Sequence, residues 1–251
     1  MGNLLLAGDG SPSLEAVRAL IRARQAGLEV VGLSGRSAPR MFELGRLLGL
    51  PAWIAELGGV RVYEGGLETH VERGAFCGPG DPVEALRDAA TLLVDAFPGH
   101  LEPHDPWNEN RHVSLMLRGE VDAGAARRLL AERGFEWAEL LDNGVIPRRF
   151  ERLALAHVHV YHLAPKGISK RDGVVADQHH RGLDPSACAV VGDASSDLAC
   201  ADVVAQCFVV RNGVEKDPSL AEAVAGVPNA RVTRHGFGAG FAEAVELLLE
   251  S

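Results

Sequence analysis

The sequence is poor in aromatic residues and lacks the features of several broad classes of protein. Aromatic side chains make up 5% of its 251 residues, and no uninterrupted apolar run approaches the ~20 residues that a membrane-spanning helix needs. The four cysteines form no CxxC pair, which favours reduced, mostly buried thiols over a disulfide framework. The formal net charge is -9, which disfavours non-specific attraction to nucleic acid or to an acidic membrane. We therefore expect a soluble, cytoplasmic protein without nucleic-acid or membrane partners.

Aliphatic residues and glycine are abundant instead. Hydrophobic residues make up 47% of the chain, with 29 glycines and 13 prolines. Such a composition is typical of an α/β protein built from many short connections. The length allows one large core, or a core with a smaller inserted domain.

Short apolar runs alternate with helical periodicity over the first part of the chain. An apolar run that stops at a glycine-rich loop is typical of a buried parallel strand. We predict strands at Leu4–Ala7, Leu28–Leu33, Trp53–Ala55 and Val60–Tyr63. One predicted helix begins at Ser11-Pro12, and a second runs through Met41–Leu48. This order predicts a doubly wound parallel sheet.

The pattern changes near the linker-like stretch Gly78–Pro82 and returns from Ser169 onward. Between these points the sequence predicts a compact α+β insert. Its predicted helices are Val83–Phe97 and Ala123–Arg133, and its predicted strands are His112–Leu117, Phe150–Leu155 and His157–Leu163. Beyond the insert we predict helices Arg171–His180 and Gly240–Leu249 and strands Ala187–Val191 and Cys207–Val210.

Three strand ends or helix starts carry polar residues that suit phosphate chemistry. Asp193 and Asp197 follow a buried strand, and two carboxylates four residues apart can face one Mg²⁺ ion, although a loop acid and a helix-start acid would look the same. Ser34-Gly35-Arg36 offers a hydroxyl and backbone N–H groups to a phosphate. Lys170 could offset phosphate charge, although a lone lysine at a helix start is usually just solvated.

Taken together, these motifs resemble the haloacid dehalogenase (HAD) superfamily, in particular its phosphatases with an α/β cap inserted after the second motif. Ser34 in LSGRS matches the phosphate-binding second motif, Lys170 in PKGISK the third, and Asp193 and Asp197 in VVGDASSD the fourth. The resemblance implies a Rossmann-like core formed by residues 1–79 and 164–251, and a cap formed by residues 80–163. It also implies Mg²⁺ as cofactor, a small phosphorylated metabolite as substrate, and phosphate binding by Ser34, Gly35, Arg36 and Lys170.

The first motif of that family, Asp-x-Asp-Gly-Thr, is matched only in part. Aligning on Asp-Gly makes Asp9 the acid/base and places Ala7 at the nucleophile. A shifted register keeps Asp9 as nucleophile and metal ligand, with Ser11 at the acid/base position. A methyl group can neither attack phosphorus nor hold a metal. The side chain that lies beside Asp193 in the fold, Ala7 or Asp9, should distinguish the two registers.

Several other polar residues are weaker candidates. His157 and His159 share one face of a predicted strand and His162 falls on the other, so we interpret them as a partly exposed sheet face rather than a metal cluster. Five residues of the insert could touch a substrate, but surface or packing roles are the more ordinary interpretation: His104, Trp107, Arg111, Arg148 and Arg149.

Two hypotheses follow. One is a Mg²⁺-dependent phosphatase of a small phosphomonoester, such as a sugar phosphate, with Asp9 and Lys170 as catalytic residues and Asp9, Asp193 and Asp197 as metal ligands. The other is a catalytically silent protein that keeps the phosphate pocket for binding or regulation.

Overall fold

The structure is a computed structural model that describes residues 3–146, 150–153, 155 and 157–250. Its α-helices are α1 (Leu14–Gln25), α2 (Ala38–Leu48), α3 (Pro82–Ala96), α4 (Ala123–Glu132), α5 (Lys170–Arg181), α6 (Ser195–Leu198), α7 (Arg211–Lys216), α8 (Pro218–Ala225) and α9 (Phe237–Leu249). Its strands are β1 (Gly32–Leu33), β2 (Trp53–Ala55), β3 (Val60–Tyr63), β4 (Glu68–Val71), β5 (Leu101–Pro103), β6 (Leu115–Gly119), β7 (Ala138–Ile146), β8 (Val158–Pro165), β9 (Ala189–Gly192), β10 (Gln206–Val209) and β11 (Ala230–Val232). Over the described ranges, no helix has both the length and the apolar character needed to cross a membrane.

The strands form three separate sheets. The first has the order β1-β2-β3-β4, with β1 and β2 parallel and the later pairs antiparallel. The second, β11-β10-β9, is wholly parallel. The third, β5-β6-β8-β7, is wholly antiparallel. Parallel strands joined by helices, together with an antiparallel sheet of its own, give the α/β architecture with an α+β insert that the sequence predicts.

The antiparallel sheet packs against α3 and α4. Its hydrophobic cluster joins Leu86 and Leu93 of α3 to Leu117 and Leu163 of the sheet and to Leu130 of α4. Each of these side chains is at most 1% exposed, so this sheet and its two helices share one dry interface. The proposed domain boundaries at residues 79/80 and 163/164 stay a prediction, and β8 continues past the second of them to Pro165.

The predicted first strand, Leu4–Ala7, is wrong. Residues Asn3–Leu5 form a 3₁₀-helix, and Leu6 makes only an isolated antiparallel bridge to Pro12. Leu4 is buried in the cluster between α1 and α9, so the apolar run is explained by packing against helices. A short apolar run fits both a buried strand and a segment packed against helices. A strand also needs a neighbouring strand to pair with its backbone, and the run itself does not show whether one is present.

Other elements differ from the prediction in their bounds. Helix α1 begins at Leu14 and is capped by Ser13, whose hydroxyl accepts the Ala16 N–H, so the predicted start at Ser11-Pro12 is three residues early. Strand β1 holds only two residues of the predicted Leu28–Leu33.

Further differences concern the insert. Neither the nine-residue strand β7 nor the three-residue strand β5 was predicted. No strand forms at the described residues 150–153 and 155 of the predicted strand Phe150–Leu155, and Ala154 lies outside the described residues.

A buried carboxylate joins the first sheet to the loop that leads into β6. Glu56 is fully buried and follows β2 with a φ of 49°, a left-handed conformation that is uncommon outside glycine. Its Oε1 accepts the His112 N–H at 3.0 Å, and its Oε2 accepts the Val113 and Ser114 N–H groups at 3.0 and 3.1 Å. Three backbone donors compensate a charge that would otherwise be costly to bury.

We predict that Glu56→Gln lowers the free energy of unfolding by about 3 kcal/mol. The substitution removes the charge-assisted hydrogen bonds, and the amide NH₂ group of Gln cannot accept a hydrogen bond from the backbone N–H groups that it would face. Urea unfolding measures the change. The control Glu84→Gln replaces a carboxylate that is 73% exposed on α3 and should stay within about 0.5 kcal/mol of the native value. Equal stabilities of the two variants would contradict the role given to Glu56.

Candidate functional site

A pocket of about 290 Å³ lies where the carboxyl ends of β1 and β9 face the antiparallel sheet. Ser34 directly follows β1, Asp193 directly follows β9, and both line it. Ligand sites of open α/β sheets lie at this end of the strands. The pocket is lined by Asn3, Ser34, Gly35, Arg36, Arg40, His104, Trp107, Arg111, Met116, Asn143, His162 and Asp193.

The turn after β1 contributes three consecutive residues, Ser34, Gly35 and Arg36, to the lining of this pocket. Ser34 is 7% exposed, and its own N–H donates to Ile54 O of the neighbouring strand. Its Oγ accepts the Arg36 N–H at 3.3 Å. Gly35 leaves no room for a side chain, because a Cβ there would lie 2.9 Å from His162 Nε2. The predicted phosphate-binding residues Ser34, Gly35 and Arg36 therefore lie together at the pocket wall.

The acidic motif after β9 has two carboxylates in different environments. Asp193 lines the pocket, whereas Asp197 is 5% exposed and points back into the protein. Asp197 Oδ1 accepts from Lys170 Nζ at 2.7 Å, and Oδ2 accepts the N–H groups of Asp193 and Ala194 at 3.1 and 3.2 Å. Lys170 is 8% exposed and is not among the lining residues. The pair lies behind Asp193 and fixes the loop that carries it.

The protonation of Asp197 follows from this pairing. Burial raises the pKa of the Asp197 carboxyl, but attraction to Lys170 and the hydrogen bonds from Lys170 and Asp193 outweigh it, so the pKa lies below its ordinary value of 3.8. Asp197 is therefore ionised at neutral pH. Gly192 is required beside it, because a Cβ at that position would lie 2.1 Å from Asp197 Cγ.

The residue beside Asp193 is neither Ala7 nor Asp9. Asn3 lies there, and its Nδ2 donates to Asp193 Oδ2 at 2.5 Å. Asp9 is exposed in a turn in which its Oδ1 accepts the Ser11 N–H and hydroxyl, which lower its pKa, and it does not line the pocket. The structure thus brings together Ser34, Gly35, Arg36 and Asp193, with Lys170 and Asp197 behind them, but not Asp9. A catalytic or metal-binding role of Asp9 stays a prediction that this geometry does not support.

The insert supplies the opposite wall. Arg111, 6% exposed, donates to Gly35 O at 3.0 Å and to Ser114 Oγ at 2.8 Å, so it ties the insert to the turn after β1. The Arg40 guanidinium lies 3.9 Å from the centroid of the Trp107 ring, a cation–π contact at the pocket rim. The sequence named Arg111, Trp107 and His104 only as weak candidates, and it missed Asn3, Arg40, Met116 and Asn143 as lining residues.

His162 is also a lining residue, which corrects its interpretation as part of a partly exposed sheet face. It is 1% exposed and pairs with Met116 across the antiparallel sheet. Burial, together with the charges of Arg111 and Lys170, lowers the pKa of its imidazole well below 6.5. Among the described residues, no partner hydrogen-bonds its buried Nδ1. A neutral imidazole therefore forms part of the pocket wall, with its Nδ1 buried.

The residues present fit a magnesium ion only in part. Mg²⁺ prefers six oxygen ligands, and Asp193 is the only carboxylate among the lining residues. Both oxygens of Asp197 are engaged by Lys170 and backbone donors. In the described part of the chain, the one group of three side chains close enough to share a metal is Glu68, His70 and His180, none of which lines the pocket.

The sequence matches no protein-family model and no curated protein. Solved structures do resemble the fold. A protein from Thermoplasma acidophilum superposes with a TM-score of 0.69 at 17% identity over 98% of this chain and 93% of that one. A haloacid dehalogenase-like hydrolase from Bacteroides thetaiotaomicron gives a TM-score of 0.64 at 15% identity over 97% and 95%. The sucrose-phosphatase from Synechocystis, in complex with sucrose and phosphate, gives 0.64 at 18% identity over 93% and 90%.

These likenesses confirm the predicted fold. The chain shares the α/β fold of these structures, one of which is a haloacid dehalogenase-like hydrolase, and it spans nearly the whole length of each structure compared. At 15–18% identity the comparison concerns the fold and not the activity.

The buried His162 predicts a pH dependence of stability. The imidazole is protonated below about pH 6.5 in the unfolded chain but stays neutral in the folded one. The unfolded state then binds more protons, so we expect the free energy of unfolding to fall by about 1.4 kcal/mol for each pH unit below 6.5, until the folded-state pKa is reached. Unfolding measured by denaturant at pH 7.5, 6.5 and 5.5 should show this slope.

The variant His162→Gln should flatten the slope, because it removes the group that titrates. The control His157→Gln, at an exposed position just before the same strand, should keep the native slope. A native slope that persists in His162→Gln would contradict the assignment to this residue.

Proposed function

We propose that this pocket binds the phosphate group of a small phosphomonoester, such as a sugar phosphate, and that the protein is a Mg²⁺-dependent phosphatase of the haloacid dehalogenase type. One observation supports the proposal above all. The turn Ser34–Arg36 and Asp193 line the same pocket at the carboxyl ends of parallel strands, although they are far apart in the sequence.

The charge of the pocket supports an anionic ligand. Its lining holds three arginines, Arg36, Arg40 and Arg111, against the single carboxylate of Asp193, in a chain whose formal net charge is -9. A local cationic cleft in an acidic protein attracts small anions while the remainder of the surface repels polyanions. A volume of about 290 Å³ suits a small metabolite. Among the proteins of similar fold are the sucrose-phosphatase and a sugar phosphatase of subclass IIB.

Each residue has a distinct part in the proposed complex. The Ser34 hydroxyl and the backbone of Gly35 would bind phosphate oxygens, and the guanidinium groups would orient the ester. Lys170 would act from behind, by holding Asp197 and adding positive charge below the pocket floor. Neutral His162 would border the bound ester without adding charge.

Magnesium dependence is the less complete part of the proposal. Asp193 would be a ligand of the ion, which would offset negative charge on the phosphoryl group when bound. No other carboxylate lines the pocket, so the remaining oxygen ligands would come from hydroxyl and amide side chains of the lining, from the bound phosphate or from water. Hydrolysis also needs a nucleophile, and Ala7 and Asp9 both lie in the turn outside the pocket. Because neither residue reaches the pocket, the placement favours a second candidate function: a protein that binds phosphate without hydrolysing the ester.

Phosphate binding tests the pocket whether or not a nucleophile is in place. We expect inorganic phosphate to bind the native chain in a calorimetric titration, and Ser34→Ala to weaken binding about tenfold, since a hydrogen bond to a charged group contributes roughly 1.5–3 kcal/mol. Arg36→Gln should weaken binding and reduce its dependence on salt.

Ser37→Ala is the matched control, because Ser37 is 1% exposed and does not line the pocket. Asp9→Asn and Asp184→Asn form a second pair, since each carboxylate accepts the N–H of a serine two residues on. All three should bind phosphate as the native chain does. Binding that is lost in Asp9→Asn but retained in Ser34→Ala would contradict the proposed site.

A further inference from the structure

A second cluster of metal-ligating side chains lies outside the pocket, where the first sheet meets α5. Glu68 and His70 belong to the edge strand β4, and His180 belongs to the last turn of α5. One ligand atom of each residue lies within 4.8 Å of those of the other two. None of the three lines the pocket, so the proposed phosphate chemistry gives this cluster no role.

The period of the strand places two of these side chains on one face. Residues two apart in a strand point to the same side of the sheet. Glu68 and His70 are half-buried, whereas the alternate positions of β4 are exposed. Glu68 pairs with Tyr63 of β3 across the sheet, and the Tyr63 ring stacks on that of His180. Glu68 and His70 therefore lie on the face that the end of α5 covers.

Tyr63 holds both imidazoles in place. It is 4% exposed, and its ring centroid lies 4.1 Å from that of His180, with the two planes 16° apart. The same ring meets His70 edge-on at 5.6 Å, and the two imidazoles meet each other at 5.0 Å. A buried ring that touches both imidazoles restricts their rotation, so the two nitrogen ligands are positioned before a metal binds.

The spacing of the ligand atoms is close to that of a tetrahedral zinc site. His70 Nε2 lies 2.5 Å from Glu68 Oε1, and His180 Nε2 lies 3.8 Å from the same oxygen. Zinc bonds of about 2.0–2.2 Å place two ligand atoms about 3.4 Å apart in a tetrahedron, a value between these two separations. The three side chains are 32–40% exposed, so small rotations can bring their ligand atoms onto one ion without movement of the backbone.

A simple ion pair accounts for only part of this arrangement. His159 and Asp142 show such a pair, with Nδ1 of the imidazole 2.8 Å from a carboxylate oxygen. In the cluster, the Glu68 oxygen that bonds to His70 has a second imidazole nitrogen beside it, at a distance too long for a hydrogen bond. Two imidazoles and one carboxylate are a zinc ligand set that leaves a fourth position for water. Imidazole ligands also favour a transition metal over Mg²⁺.

We propose that Glu68, His70 and His180 form a binding site for a divalent transition metal, with Zn²⁺ as the ion that suits this ligand set. The ion joins the edge strand β4 to the last turn of α5 and stabilises the folded chain, because the unfolded chain does not hold the three ligands together. Arg61, opposite His70 in the sheet, donates to Glu72 at 2.7 Å, so its charge is already paired. The site is independent of the proposed phosphatase function.

Calorimetric titration of the metal-free chain with Zn²⁺ tests the site. We expect one strongly bound ion per chain and a rise in Tm when it binds. His70→Gln and His180→Gln should each weaken binding at least about a hundredfold, since the loss of a mere second-sphere partner of a metal costs about 10–100-fold. Glu68→Gln keeps the shape of the side chain and removes its charge, and it should weaken binding to a similar degree.

Two histidine variants are matched controls. His159→Gln removes the imidazole of the two-membered pair, and His179→Gln removes the exposed neighbour of His180 on the same helix. Both should bind Zn²⁺ as the native chain does. Thermal unfolding without metal identifies any variant that fails to fold, and the comparison then uses the remaining ligand variants. Inorganic phosphate should bind His70→Gln as it binds the native chain, which separates this site from the pocket.

Three results would overturn the proposal. One is native Zn²⁺ affinity in folded His70→Gln and His180→Gln, and another is an equal loss of affinity in the two controls. The third is an absence of Zn²⁺ binding to the native chain at a large excess of the ion. Failure of phosphate to bind would contradict the proposed function and leave the zinc site in place.

Discussion

The buried carboxylate of Asp197 is the constraint on which the pocket depends. A charge that is 5% exposed is stable only when it is compensated, and here Lys170 Nζ and two backbone N–H groups compensate it. These hydrogen bonds fold the loop after β9 around the carboxylate, so that Asp193 faces outward. The bond from Lys170 also holds the start of α5 beside α6. The need for a glycine at position 192 has the same origin, because the carboxylate fills the space of a side chain there.

A second buried acid arranges the other wall. Glu56 gathers the backbone donors of residues 112–114 and thereby sets the position of Arg111, which reaches over to Gly35 O. Two carboxylates that do not line the pocket therefore position residues that do. The cost of burying them is offset in the folded state by fixed donors, so the two walls are held in place by buried charges.

Sequence reasoning correctly placed at the pocket the residues that follow paired strands, and it was wrong where the predicted strand does not form. Ser34 and Asp193 were identified because each follows an apolar run at a polar turn, and in the structure each follows a strand paired in parallel, β1 or β9, and lines the same pocket. Leu4–Ala7 has a similar pattern but packs against helices, so Asp9 falls in an exposed turn. A short apolar run indicates that a segment is buried, but it does not show whether the segment packs against strands or against helices.

The insert residues were beyond sequence reasoning for a different reason. His162 and Arg111 reach the pocket through the register of β6 with β8 and through the bonds to Glu56, which are contacts between distant segments. Histidines spaced along a strand look like a partly exposed sheet face, but His162 is buried and Gly35 of the turn after β1 lies against its ring. The predicted α/β class needed only the order of elements, and for that reason it was correct.

The most direct test of the account is a crystal structure of the protein soaked with an oxyanion that mimics phosphate, such as tungstate. The account predicts one strong site between Ser34 Oγ and the guanidinium groups of Arg36 and Arg111, with Lys170 still bonded to Asp197. An anion bound elsewhere, or an empty pocket at an anion concentration that saturates binding in solution, would contradict it.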